Sequence, residues 1–121
     1  MITTKINLEI YDFKIEVIEA ESREDAPAMR KALKRLMVSN DLIEEIAQAI
    51  ADGDINGGWT MCNYGIKRIA VVLLPMDSET KRRSVLMHEK RHVEDDIMSH
   101  CNIDDAEAAG YLAGYLSKFI Y

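Results

Sequence analysis

The longest apolar run in the chain, IAVVLLP at residues 69–75, constrains the fold more than any other segment. A bilayer-spanning helix needs about 20 apolar residues, so this run is too short for one, but it suits a buried strand. Pro75 has no amide hydrogen for strand pairing and ends the run. Asp77 or Ser78 then caps a long helix, which we expect to continue to about His100.

Shorter signals surround this strand and helix. Before the apolar strand they predict a hairpin or one bulged strand over residues 6–17, a helix over about residues 23–38, and a short helix beginning at Asn40 or Asp41. A loop over residues 52–58 follows, and then a hairpin from residues 59–62 into the apolar strand. After the long helix, a last helix begins at Asp104 or Asp105. The first segment has two interpretations, because its alternation of apolar and polar residues changes phase at residues 11–12. Together these signals predict an α+β fold with a short, mainly antiparallel sheet, forming a single domain over residues 1–121.

The composition fits a small globular protein and argues against two kinds of partner. Of 121 residues, 48% are hydrophobic and 30% are charged, which is ordinary for one domain with one core. The net charge of −6 argues against a nucleic-acid binder, and no segment predicts a signal peptide or a membrane span. We therefore expect a cytoplasmic protein in which Cys62 and Cys101 are reduced thiols.

His88, Glu89 and His92 lie in the predicted long helix and form the H-E-x-x-H pattern of zinc hydrolases. Residues four apart differ by about 40° around a helix, so both imidazoles can point at one ion. Glu89 is displaced by about 100° from His88, a position that suits a general base beside the ion. The alternative is a charged, solvated helix that matches by accident. Two of the chain's three histidines lie in the motif, which favours the metal site.

Lys90 and Arg91 fill the variable positions of the motif with bulky cations. On a helical wheel these residues and Glu94 fall at about 200–300° from His88, away from the ion and from the apolar face. We therefore expect the back of this helix to face water. Lys90 and Glu94 are four residues apart and are expected to pair weakly on that surface.

A catalytic zinc site usually has three protein ligands and one open position. His100 lies about two turns beyond His92, too far along a straight helix to share the ion. Glu107 lies in the first turn of the last helix, whose small side chains let two helices approach closely, so we predict it as the third ligand. The alternative is that Glu107 only complements the helix dipole. Asp104 and Asp105 are the other candidates, although each suits a helix cap better.

Residues 66–116 resemble the minimal gluzincin core of the ImmA/IrrE-like small zinc peptidases. The matching pieces read IKRIAVVLL, HEKRH and EAAGY, in the order of a buried strand, the motif helix and a second helix. The resemblance covers under half of the chain. It implies a small zincin-like core, a Zn²⁺ ion held by His88, His92 and Glu107, and Glu89 as the catalytic base.

The chemistry so implied is cleavage of a peptide or protein substrate by metal-activated water. Tyr111, one turn beyond Glu107, and Tyr64 are candidates to stabilise the oxyanion, although each can equally be a tyrosine at the edge of the core. Asp96 either fixes the imidazole of the second motif histidine or is a surface carboxylate. A substrate peptide is expected to add as a strand beside residues 66–74.

Two other functions remain open from the sequence. One is a zinc-binding regulatory protein that uses the same scaffold without cleaving peptides. The other is a metal-free interaction module that assembles through the last helix and its aromatic residues Tyr115, Phe119 and Tyr121. Metal content and the effect of changing His88 distinguish these alternatives from a hydrolase.

Overall fold

The computed structural model describes residues 1–101 and 106–118, with the backbone alone for residues 106 and 107. Its elements in chain order are strands β1 (Ile2–Leu8) and β2 (Phe13–Glu19), helices α1 (Ala26–Arg35) and α2 (Asn40–Ala51), strands β3 (Gly58–Asn63) and β4 (Arg68–Leu73), and helices α3 (Glu79–His100) and α4 (Ala106–Leu116). A short 3-10 turn precedes α1. The predicted α+β class and the predicted order of elements are confirmed. No helix in the described ranges has both the length and the apolar character that crossing a bilayer requires.

The four strands form one mixed sheet in the order β1-β2-β4-β3. The β1–β2 and β3–β4 pairs are antiparallel, whereas β2 and β4 are parallel, so the sheet is mainly antiparallel as predicted. Residues 6–17 form a hairpin and not one bulged strand. Its turn reverses through Asp12, whose φ of 57° lies in the left-handed region that aspartate tolerates.

Helices cover both faces of this sheet. The first core packs α1 and α2 on one face, and its largest buried side chains are Ile18, Met29, Leu33, Ile46 and Ile50. The second core packs α3 and α4 on the other face around Phe13, Ile15, Leu73, Leu86, Ile97 and Leu116. Alternate residues of β4 enter the two cores, which explains why its sequence is apolar at every position from 69 to 73.

β4 is an interior strand, because it pairs with β2 on one side and with β3 on the other. The predicted addition of a substrate strand beside residues 66–74 is therefore wrong, since the backbone groups of residues 68–73 are occupied in the sheet. The described part of the sheet has its edges at β1 and β3.

We predicted that Lys90, Arg91 and Glu94 on the back of α3 face water. This prediction is wrong for Lys90 and Glu94. Lys90 and Glu94 are only 4% and 8% exposed, and Lys90 Nζ lies 3.1 Å from Glu94 Oε1. Arg91 is exposed as predicted. Lys90 lies only about 20° from Ile97 on the helical wheel. Because Ile97 is on the face of α3 that packs against the sheet, Lys90 is buried with it.

Candidate metal centre

The motif lies in the middle of a helix whose start is well defined. Ser78 caps α3, and its Oγ accepts a hydrogen bond from the amide of Lys81 at 3.1 Å. This cap satisfies one of the backbone amides that a helix start leaves unpaired. Residues 88–92 therefore lie more than two turns inside a 22-residue helix, where the backbone is regular and the side-chain directions are fixed.

His88 and His92 bring their imidazoles together on the exposed side of α3. Their Nε2 atoms are 3.1 Å apart, and the two rings are nearly perpendicular with centroids 4.7 Å apart. Two nitrogen ligands of a tetrahedral zinc ion lie about 3.3 Å apart, because each Zn–N distance is about 2.05 Å. The spacing of this pair therefore suits two ligands of one ion.

Glu89 lies on the inner side of the same turn and is held by β3. The residue is 5% exposed, and its Oε2 accepts a hydrogen bond from Thr60 Oγ1 at 2.6 Å. Its Cγ packs against Gly58, where an added Cβ would come within 3.1 Å. The ligand atoms of His88, Glu89 and His92 all lie within 4.8 Å of one another. The structure thus brings the three motif residues together in a group that can hold a metal ion.

A second polar cluster joins the end of β3 to α3, one turn beyond His92. Asp96 is partly buried, and burial raises the pKa of its carboxyl even though the charge of His92 acts in the opposite direction. Burial and the nearby Asp96 charge raise the pKa of the Cys62 thiol to about 11. Tyr64 interacts with both groups, and burial first, then the charge of Asp96, raises the pKa of its phenol. Asp96 therefore interacts electrostatically with His92, and its role in orienting that imidazole stays a prediction.

The structure keeps His100 away from the metal group, in agreement with its rejection as a ligand. Its ring stacks on Tyr64 with centroids 4.9 Å apart and meets Phe13 edge-on at 5.3 Å. Tyr64 is thus engaged at the far end of α3. Tyr111 is 73% exposed on α4 and lines a groove that α4 forms with the turn between β1 and β2. The proposed oxyanion role of either tyrosine stays a prediction.

The third ligand also stays a prediction. Glu107 belongs to α4 by its backbone, but its side chain lies outside the described residues, as do Asp104 and Asp105 entirely. The described part of α4 packs against α3.

Sequence reasoning missed the two β3 residues that hold Glu89. Gly58 and Thr60 lie on the face of β3 that meets α3, whereas Trp59 and Met61 pack into the core on the other face. The alternation of small or polar residues with large apolar ones was a usable signal. The sequence did not indicate that this face of β3 meets Glu89 on α3, because the contact joins residues 29 positions apart.

Comparisons with family models, with curated proteins and with solved structures find no match for this chain.

Proposed function

We propose that this chain is a zinc-dependent metallohydrolase that cleaves peptides, with Zn²⁺ held by His88, His92 and Glu107 and with Glu89 as the general base. The observation that carries the proposal is the 3.1 Å separation of the two Nε2 atoms beside the buried Glu89 carboxylate. The order of β4, α3 and α4 also agrees with the resemblance to the ImmA/IrrE-like peptidases.

The donor set suits zinc. Two neutral imidazoles and one carboxylate form a common ligand set of catalytic zinc sites, which leave one position for water or substrate. Zinc in such a site lowers the pKa of a coordinated water molecule to about 7 and polarises a substrate carbonyl. His88 and His92 are exposed, so an ion and a substrate can reach them directly from solvent.

Glu89 is placed to move protons. Thr60 donates its hydroxyl hydrogen to Oε2, which leaves Oε1 as the oxygen free to accept a proton from the attacking water. The same carboxylate then returns the proton to the departing amine of the substrate. Packing against Gly58 restricts the Glu89 side chain, so little ordering is left to be done when substrate arrives.

Metal content is the first test. Purified protein, stripped with a chelator and reloaded with Zn²⁺, should contain about one zinc per chain by elemental analysis. His88→Ala and His92→Ala should lose it. His100→Ala is the matched control, because it removes an exposed histidine of the same helix whose ring stacks on Tyr64. This variant should retain the ion. A wild-type chain that binds no zinc refutes the hydrolase.

Glu107→Ala tests the third ligand in the same assay. Loss of zinc supports Glu107. Retention of zinc in Glu107→Ala, together with loss in His92→Ala, refutes Glu107 and directs the test to Asp104→Ala and Asp105→Ala.

Glu89→Gln separates metal binding from catalysis. Glutamine can still accept the hydrogen bond of Thr60, but it cannot accept the proton of water, so the variant should retain zinc and lose cleavage. The assay is mass-spectrometric detection of products from a diverse peptide mixture. If zinc-loaded wild type and Glu89→Gln leave the same mixture intact, peptide hydrolysis is refuted in favour of the zinc-binding regulatory protein.

A further inference from the structure

Arg91 adjoins the two histidines of the metal group on the exposed side of α3. It follows His88 by three residues and precedes His92 by one, so it lies between them along the helix axis. Around that axis Arg91 is about 60° from His88, whereas Glu89 is about 100° from His88 in the opposite direction. The metal group therefore has a buried carboxylate on one side and an exposed guanidinium on the other.

The guanidinium of Arg91 is only weakly engaged. Its Nε lies 3.6 Å from Asp95 Oδ1, a distance too long for a hydrogen bond, and both side chains are exposed. Such a pair is weak, because water and salt screen it. Within residues 1–101 and 106–118, Arg91 has no other ion pair and makes no hydrogen bond through its side chain. A guanidinium can bind a carboxylate through two parallel N–H groups, so this one can accept a further anion.

The other cation of the motif differs from Arg91 in both respects. Lys90 is buried, and its Nζ lies 3.1 Å from Glu94 Oε1. Arg91, His88 and His92 are all exposed, so a molecule that contacts the two imidazoles from solvent can also reach the guanidinium. Of the two motif cations, Arg91 is therefore the one that a substrate can meet.

We propose that Arg91 binds a carboxylate of the substrate, so that the chain prefers acidic peptides. The proposal rests on the function proposed above and specifies its substrate class. A peptide that contacts both imidazoles and extends away from Glu89 passes Arg91 within the same helical turn. The carboxylate belongs either to an aspartate or glutamate side chain or to the C-terminus of the peptide, since a guanidinium binds each of them in the same way.

Peptide binding to zinc-loaded Glu89→Gln tests this preference without cleavage. The probes are acetylated, amidated Ser-Ala hexapeptides with Glu or Gln at each position in turn, and the parent peptide with a free carboxyl terminus. Isothermal titration calorimetry should show about 10-fold tighter binding of Glu than of Gln at one position, or of the free carboxyl terminus than of the amide. Equal binding in both comparisons overturns the proposal.

Variants of two arginines assign the preference to a residue. Arg91→Met removes the charge and should abolish the preference, whereas Arg91→Lys retains the charge without the fork and should keep part of it. Arg83→Met is the matched control, because Arg83 forms an exposed pair with Glu79 at 3.5 Å and its loss changes the net charge equally. Arg83 lies about 140° from His88, so this variant should keep the preference.

Both opposite results overturn the assignment. A preference that persists in Arg91→Met shows that another group, such as the ion itself, binds the carboxylate. A preference that falls equally in Arg83→Met shows that it arises from net charge and not from contact with Arg91.

Asp95→Asn supplies a change in the opposite direction. Asp95 is the carboxylate that competes for the guanidinium, so its removal should strengthen the acidic preference about 2–5-fold. Glu79→Gln, which removes the corresponding partner of Arg83, should leave the preference unchanged. A purely structural role of Arg91 does not predict this gain. An unchanged or lower preference in Asp95→Asn overturns the proposal.

Cleavage by the zinc-loaded wild type separates this inference from the proposed function. Peptides cut from a diverse mixture should be enriched in a carboxylate at one fixed distance from the cleaved bond, and Arg91→Met should lose this enrichment. Cleavage without the enrichment refutes the role of Arg91 alone. Arg91-dependent binding of acidic peptides that the wild type never cleaves refutes the hydrolase alone.

Discussion

Lys90, at a variable position of the metal motif, forms a buried ion pair with Glu94 one turn further along α3, and removal of this pair gives a sharp test of the packing of α3. The two side chains are 5% and 10% exposed and meet at 3.1 Å. We expect Lys90→Met to destabilise the protein severely, because the change leaves the Glu94 carboxylate buried without its cation. The double variant Lys90→Met/Glu94→Leu should recover the whole loss.

The expected magnitudes follow from this geometry. Two unit charges at 3.1 Å attract by about 5 kcal/mol at an effective dielectric constant of about 20. Removing each ion from water costs several kcal/mol, so the pair as a whole is near neutral for stability. Loss of Lys90 alone should therefore lower the free energy of unfolding by about 3–5 kcal/mol, whereas replacement of both residues by apolar ones should leave it unchanged or raise it by about 1–4 kcal/mol.

Urea unfolding followed by far-UV circular dichroism and Trp59 emission measures these differences. Arg91 and Asp95 supply a control on the same helix with the same spacing, since their side chains are 75% and 63% exposed and 3.6 Å apart. Asp95→Asn should change the free energy of unfolding by less than about 0.5 kcal/mol. An equally small loss in Lys90→Met would show that Lys90 lies in water and would refute the buried pair.

The remaining predictions concern β3, α4 and a buried thiol. Gly58→Ala should lower the free energy of unfolding, measured by thermal unfolding, by about 1–3 kcal/mol, because the added Cβ would lie 3.0 Å from the Val72 carbonyl oxygen. Gly114→Ala, which adds a Cβ in open space, should raise it by about 0.5–1 kcal/mol. Changes of the same sign in the two variants contradict this packing. The folded Cys62 thiol, with its pKa raised to about 11 from 9.0, should be alkylated slowly at pH 8 compared with the urea-unfolded chain. Because the unfolded thiol loses its proton first, this residue's contribution to stability is complete below pH 9 and is lost as the pH rises to about 11, and Cys62→Ala should not show that loss. Thr60→Val should retain zinc but reduce turnover about 10–100-fold, and Thr60→Ser should restore it; equal turnover in all three proteins contradicts a positioning role.

The elements that sequence reasoning predicted well are those with local signals. β4 lies in a short apolar run that ends at Pro75, and the serine cap of α3 follows three residues later. Within α3, the spacing of His88, Glu89 and His92 determines their relative directions, because helix geometry depends only on the chain between them. The predicted convergence of these three groups therefore needed no knowledge of the rest of the fold.

The elements that sequence reasoning misplaced depend on distant partners. β4 lies inside the sheet because it pairs in parallel with β2, in a register that sets Ile15 opposite Ile69. No local pattern encodes a pairing across more than 50 residues. Similarly, a helical wheel gives the angle of Lys90 but not the width of the arc that the sheet and α4 cover. The interior position of β4 and the burial of Lys90 were both missed because local sequence patterns do not encode contacts with distant segments.

The metal group combines one fixed side chain with two accessible ones, and β3 is responsible for the difference. Glu89 is buried because Gly58 lets β3 approach α3 closely and because Thr60 supplies its hydrogen-bond donor. His88 and His92 point past this strand into solvent. Changes on the α3 face of β3 should therefore alter how well the base is oriented while the histidine spacing, set within α3, is kept. Metal affinity and proton transfer are thus governed by different elements and should be separable by mutation.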